Sequence, residues 1–424
     1  MLSLRLARGA RPLALLRRSL VATAAAGTGF LLLSALGYAA GHPEQTDGAV
    51  VRLLWCAVPL AATTHLAITV ARADPSVPFG AGFAAAGGGP ARSALLAAAS
   101  AALSCALGCA LALLVFLQLR GDLAGSWLLW ADTASRAAGG AVSGPLGAGH
   151  PLPAAATVTL LAVVPTVAAA ACAVRLWPRG PQRARGARGS RTGGRARARG
   201  VQRVPRGAEP PELAARGLPW GIALTAAGVA LEAYTDNMDS GPPPPPDALL
   251  PLPGELGGSP PGVVGGWALA AVGLVLAGPG LTHLCGRLLA AWRPGTLRLL
   301  AGRVLQQEAG RLGHSVGVLW AVATAAYAAV ELYGVGAGPS GHRPFGPLIG
   351  LGAALIMMCA TASVLTAALE AKSARGRTTE ALLRLGAPPR LLRGAAALRG
   401  LALLVLLAPL TWAVAELSTL PFNH

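Results

Sequence analysis

The chain has 424 residues, 54% hydrophobic and 12% charged, with a mean hydropathy of +0.56, which sets it outside the ordinary soluble globular class. Its formal net charge of +18, from 35 basic and 17 acidic residues, would point to nucleic acid in a soluble chain. Beside apolar segments of membrane-crossing length it points instead to a bilayer with anionic headgroups, and no nucleic-acid partner is expected. The basic residues are 34 Arg to one Lys, a bias expected of a high-GC bacterial genome.

Crossing a hydrocarbon core of ~30 Å takes roughly 20 mostly apolar helical residues. Nine stretches meet that need: 20–40, 50–71, 94–118, 154–174, 218–235, 263–286, 315–335, 347–369 and 400–417. The expected fold is all-α, a polytopic helical membrane protein of about nine transmembrane helices. With the N-terminus in the cytoplasm, segments 1–19, 71–93, 175–217, 287–314 and 370–399 hold 31 of the 35 basic residues. The opposite side holds only Arg52, Arg120, Arg136 and Arg343, together with eight of the 17 acids. The positive-inside rule then makes this a multi-pass protein of the cell membrane, N-terminus cytoplasmic and C-terminus extracytoplasmic. Arg17 and Arg18 before the first apolar run resemble a signal peptide, but the 19-residue basic lead and the full-length span favour a retained anchor.

The spans group into a first unit of four (1–174), a basic linker (175–217), two connecting spans (218–286) and a truncated second unit of three (287–424). The linker holds twelve arginines and little that could form a core, so it is expected to be a disordered cytoplasmic tether to the inner leaflet. Pro242 to Pro246 should form a stiff polyproline spacer on the outer face.

Two correspondences support an internal duplication. Basic leads, Arg5 to Arg18 and Arg298 to Arg311, precede the first and seventh spans, and each reads as an amphipathic helix lying along the membrane before it turns in. Segments 82–103 and 381–401 also align, with Gly88 on Gly386, Pro90 on Pro388 and Arg92 on Arg390. Such repeats are common in transporters.

The second of these segments carries the most specific signal. In TTEALLRLGAPPRLLRGAA (378–396), Glu380 and Arg384 are spaced to pair on one helix face while leucines line another. Gly386 is placed to end that helix in a left-handed conformation. The order Glu380, Ala381, Leu383, Arg384, Leu385, Gly386, Ala387, Arg390 resembles the cytoplasmic loop of FtsX-like, MacB-type permeases of ABC transporters. The resemblance implies a short lever, with Glu380, Arg384, Leu385, Gly386 and Arg390 in the second copy and Gly88 and Arg92 in the first. It further implies that the lever docks on a separate cytoplasmic ABC-type ATPase. Homo- or heterodimeric assembly stays open.

The chain departs from that family where the family carries a large extracytoplasmic domain, since 41–49 and 336–346 are short. Leu398 and Arg399 stand where an acidic residue is usual, the second unit lacks a fourth span, and the first copy has no counterpart to Glu380 or Arg384. These departures favour the alternative of an ATPase-independent membrane scaffold or regulator.

Catalysis by the chain itself is not expected, nor is a cofactor or a metal. The only lysine, Lys372, follows Ala371 and has Thr366 where a phosphate-cradling loop needs its first glycine. All six cysteines fall in the spans, and Cys105 with Cys109 reads as small apolar packing. His65 is the most central ionisable group and should hydrogen-bond a neighbouring helix, while His283 reads as interfacial. Glu232, Glu331 and Glu416 read as solvated outer helix ends or the rim of an outer vestibule.

Overall fold

The computed structural model describes residues 2–44, 46–73, 90–120, 152–177, 211–238, 250–251, 258–259, 261–291, 295–336, 347–384, 386 and 388–419. Within hydrocarbon no water can take up a backbone N–H or C=O, so a crossing segment must satisfy both internally, and a helix does so. The described elements are α1 (Leu2–Gly41), α2 (Thr46–Trp55), α3 (Ala57–Ala73), α4 (Pro90–Arg120), α5 (Ala154–Leu176) and α6 (Pro211–Met238). After them come α7 (Pro261–Ala291), α8 (Thr296–Gly336), α9 (Pro347–Ala374), α10 (Gly376–Arg384) and α11 (Pro389–Thr419). Two-residue strands, β1 (Leu250–Pro251) and β2 (Gly258–Ser259), pair antiparallel between α6 and α7. The fold is the all-α polytopic one that the apolar pattern specifies.

Among the described residues, eight helical stretches are long and apolar enough to cross a membrane. They match eight of the nine expected spans, with α2 and α3 together making the second. The helix expected as the fifth, α6, falls outside that group. It nevertheless runs antiparallel along α7: Leu218 meets Gly280, Gly221 meets Ala277, Thr225 meets Gly273, Gly228 meets Ala270 and Thr235 meets Gly262. From 218 to 235 that seam extends about 27 Å at 1.5 Å per residue, close to the thickness of a hydrocarbon core.

Glycine makes this packing close, because lipid offers no hydrophobic drive between helices and contact area must come from backbone approach. A Cβ on Gly228 would lie 2.6 Å from the Gly266 carbonyl, and one on Gly266 would lie 2.8 Å from the Gly228 carbonyl. The α7–α8 seam repeats the device, with Gly302 facing the Gly286 carbonyl at 2.6 Å and Gly286 facing the Gly302 carbonyl at 2.9 Å by the same construction.

The helices form two packed clusters. One joins α1, α3, α4 and α5, with Phe116 fully buried and its ring edge-on to Phe30 at 5.9 Å. Leu355, Cys359 and Ala362 of α9 belong to the same cluster. The other gathers Leu274, Ala277 and Leu281 of α7 with Trp320 and Ala321 of α8, flanked by Leu218 of α6 and Leu407, Leu410 and Val414 of α11. Thus α9, which follows α8 in sequence, packs on the helices of the first unit, and the passage from α8 to α9 connects the clusters.

Two local expectations change. The basic leads do not turn before their spans: each continues as one helix, α1 of 40 residues and α8 of 41. At about 60 Å these helices are twice as long as a hydrocarbon core is thick, so the arginines lie on helical extensions of the spans. A helix once nucleated gains a hydrogen bond for each residue it adds, and neither lead is set off from its span by a break in the helix. The last residues of the expected linker, from Pro211, are likewise helical as the start of α6. Its first residues, Arg175 and Leu176, are the last of α5, while 178–210, the proline run and Gly88 lie outside the described residues.

The glycine seam makes a direct test. Gly302→Val places side-chain carbon against the Gly286 backbone and is expected to lower the thermal midpoint of the detergent-solubilised protein sharply or prevent its recovery. Gly350→Ala in α9, where a Cβ meets nothing within 4 Å, should leave the midpoint unchanged or raise it, since Ala favours the helix by up to about 1 kcal/mol.

Candidate functional site

The loop between α9 and α11 holds α10, nine residues long. Inside it Arg384 donates from Nη2 to Glu380 Oε1 at 2.7 Å, the i,i+4 pair that the spacing anticipates. Both side chains are exposed, at 79% and 64%, so the pair stabilises the helix by only about 0.3–0.5 kcal/mol. Leu383, 44% exposed, lies uncovered beside them. A helix this short does not persist on propensity alone; its ends define it.

The far end is a glycine stop. Gly386 has φ +87°, and its N–H donates to the Leu383 carbonyl at 3.0 Å. A Cβ there would meet nothing within 4 Å, so the glycine is required by backbone conformation and not by crowding. Pro388 and Pro389 follow, and Arg390 opens α11 with its side chain exposed. Leu385 lies outside the described residues, as does the side chain of Arg92, whose backbone is in the first turn of α4.

The near end is pinned by charge. Arg375, the residue between α9 and α10, places Nε 2.7 Å from Glu308 Oε1 on α8, and it also donates to the Ala371 carbonyl. Arg399 of α11 brings Nη1 within 3.7 Å of Glu308 Oε2 and donates from Nε to the Ala395 carbonyl. Glu308 is buried, at 9% exposure. One carboxylate therefore ties together α8, the root of α10 and the first turns of α11. In the other cluster Arg17 of α1 donates to the Ala73 carbonyl at the end of α3 at 2.6 Å. In both places a long helix, α1 or α8, thus holds the end of another, α3 or α9.

No protein-family model, curated protein or solved structure matches the chain.

Sequence spacing brought out Glu380, Arg384 and Gly386, but not Glu308 or Arg375. The one signal for Glu308 is that it stands as the only acid in a lead of basic residues. Arg399, noted as standing where an acid is usual, has its carboxylate partner on α8.

The other singled-out groups have separate surroundings. His65 Nδ1 lies 3.3 Å from the Ser363 hydroxyl of α9. Two residues before it, Thr63 contacts Thr28 at 2.8 Å and Cys359 Sγ at 3.9 Å, so polar contacts join α1, α3 and α9. All six cysteines are free and buried. Among the described residues, no three His, Cys, Asp or Glu side chains gather where they could hold a metal ion. His283 is half-buried, Glu416 is half-buried and Glu232 is buried. Only the backbone of Glu331 is described.

Glu308→Gln leaves two guanidinium groups without their shared counter-charge. It is expected to destabilise the detergent-solubilised protein by roughly 3 kcal/mol, the scale for breaking a buried ion pair from one side, read as a fall in thermal midpoint. Glu380→Gln, on an exposed pair, should shift stability by less than about 0.5 kcal/mol.

Proposed function

We propose that the chain is an FtsX-like permease subunit of an ABC transporter in the cell membrane, coupling ATP hydrolysis by a separate cytoplasmic ATPase to transport or force transmission. The observation that carries this reading is α10: an exposed amphipathic helix with a glycine stop at one end and a buried ionic anchor at the other. Its exposed ion pair and leucine contribute little to the fold and offer a partner a mixed polar and apolar surface. The sorting of arginines puts that surface in the cytoplasm with the N-terminus.

On this reading the ATPase grips α10 and closes as nucleotide binds. Displacement of α10 pulls on Arg375, and Glu308 passes it to α8 and, through Arg399, to α11. Because α9 rests on α1 and α3, movement of its end also reaches the other cluster. The chain supplies no catalytic residue; it transmits.

A second reading, an ATPase-independent scaffold or regulator, draws on the short connection from the end of α1 at Gly41 to the start of α2 at Thr46. That connection leaves no room for the outer domain of the permeases the sequence resembles.

Affinity purification of the intact protein from mild detergent separates the two. Recovery of a nucleotide-binding subunit is expected, with loss of that subunit but normal yield for the double variant Glu380→Arg, Arg384→Glu or for Gly386→Val. Recovery of the wild-type protein without any nucleotide-binding subunit, at every expression level, contradicts the permease reading.

A further inference from the structure

At the opposite end of α11 from α10, a carboxyl group is sealed inside the helix packing. Glu232 of α6 is 1% exposed, and both of its carboxyl oxygens are buried without a hydrogen-bond partner among the described residues. Its position, four residues after Gly228, sets it against Gly266 of α7: a Cβ on Gly266 would stand 2.6 Å from Glu232 Cγ and 3.2 Å from Oε1. Ser418 of α11, itself buried, is the polar side chain that faces it. Glu232 is therefore enclosed by three helices, and the glycines that let α6 and α7 approach also make room for it.

An ionised carboxylate sealed in apolar surroundings without a partner is costly, and such groups within membrane helices are commonly functional. The surroundings decide which cation it holds. Titratable side chains of α7 are His283, Cys285 and Arg287, at least seventeen residues along the helix from Gly266 and so roughly 25 Å or more away. Glu416 on α11 adds negative charge near Ser418, and Asp236 on α6 and Glu331 on α8 also lie toward this end. No basic residue of these four helices stands within two turns of Glu232 in sequence or opposite it on α7. A metal cation would need several oxygen ligands, whereas one carboxyl and one hydroxyl are offered and the nearby glycine carbonyls belong to helices. The seam between α6 and α7 is close-packed. A proton is the cation that fits.

We propose that Glu232 is a proton-binding carboxyl, neutral while the last turn of α11 is closed over the α6–α7 seam and open to proton exchange when that turn withdraws. The geometry suits this. Glu232 lies about a turn and a half from the end of α6, and α11 is the most peripheral span, with 6% of its most apolar window buried against 28–61% in the other seven. The proposal does not depend on an ATPase partner.

Infrared spectroscopy of the full-length protein in lipid nanodiscs, wild type minus Glu232→Gln, tests it. Gln keeps the shape of the side chain without the ionisable group. At neutral pH this difference spectrum is expected to show the carbonyl stretch of a neutral carboxylic acid, shifted by exchange into heavy water. A pyrenyl carbodiimide, which reacts with protonated carboxyls in apolar sites, should label the peptide containing Glu232 and no longer do so in Glu232→Gln. Carboxylate bands in place of the acid carbonyl would overturn the proposal. So would protection from the carbodiimide by sodium ions, which would make the site one for a metal cation.

Discussion

Inside hydrocarbon the backbone has no water to bond to, and this constraint fixes the architecture before any side chain is considered. Only a helix or a closed barrel satisfies it, apolar runs of this length are helices, and once the helices exist, lipid gives them no hydrophobic reason to associate. What remains is contact area, and glycine supplies it. Where Gly228 meets Gly266 and Gly286 meets Gly302, the backbones approach until a single added carbon would touch a carbonyl. The long helices α6, α7 and α8 are held side by side in this way. The same close approach encloses Glu232, so a buried carboxyl and a glycine seam are two products of one packing rule.

The sequence makes parts of this legible and leaves others hidden, for a physical reason in each case. A run of apolar residues specifies a crossing by itself, so the spans can be read directly. An i,i+4 pair such as Glu380 with Arg384, and a glycine placed to stop a helix such as Gly386, are local features whose partners lie within a turn. The Glu308 cluster is different. Its members sit on α8, on the residue between α9 and α10, and on α11, at sequence distances with no period. The place of α9 against α1 and α3 is hidden for the same reason: an Ala-rich apolar helix does not advertise which neighbour it will choose. The leads before α1 and α8 show the converse error, since amphipathic composition suggests a turn into the membrane that continuous helical hydrogen bonding does not make. Glu232 near a helix end reads as solvated in one dimension and is sealed in three.

The proposed function rests on where charge is left uncovered and where it is buried. The exposed side chains of α10 contribute little to stability, so their arrangement is free to serve a partner. Glu308, buried with two guanidinium groups, does the reverse, holding the root of α10 rigidly to two long helices. On the proposed permease reading, α10 is the surface an ATPase would grip, and Glu308 joins it to α8 and α11. At the far end of α11 the helix is thinly packed, and Glu232 lies beneath its last turn. Movement of one helix would therefore connect the two ends of the bundle.

The account depends on α6 crossing the membrane beside α7, because that crossing places the arginine-rich segment after α5 and the proline-rich segment before α7 on opposite sides. Single cysteines introduced by Ser190→Cys and Ser240→Cys, against native cysteines that are all buried, can be probed in intact cells with a membrane-impermeant maleimide. The expected result is labelling at position 240 from outside and at position 190 only after permeabilisation. Labelling of both positions from the same side would mean that α6 does not cross, and would contradict the account.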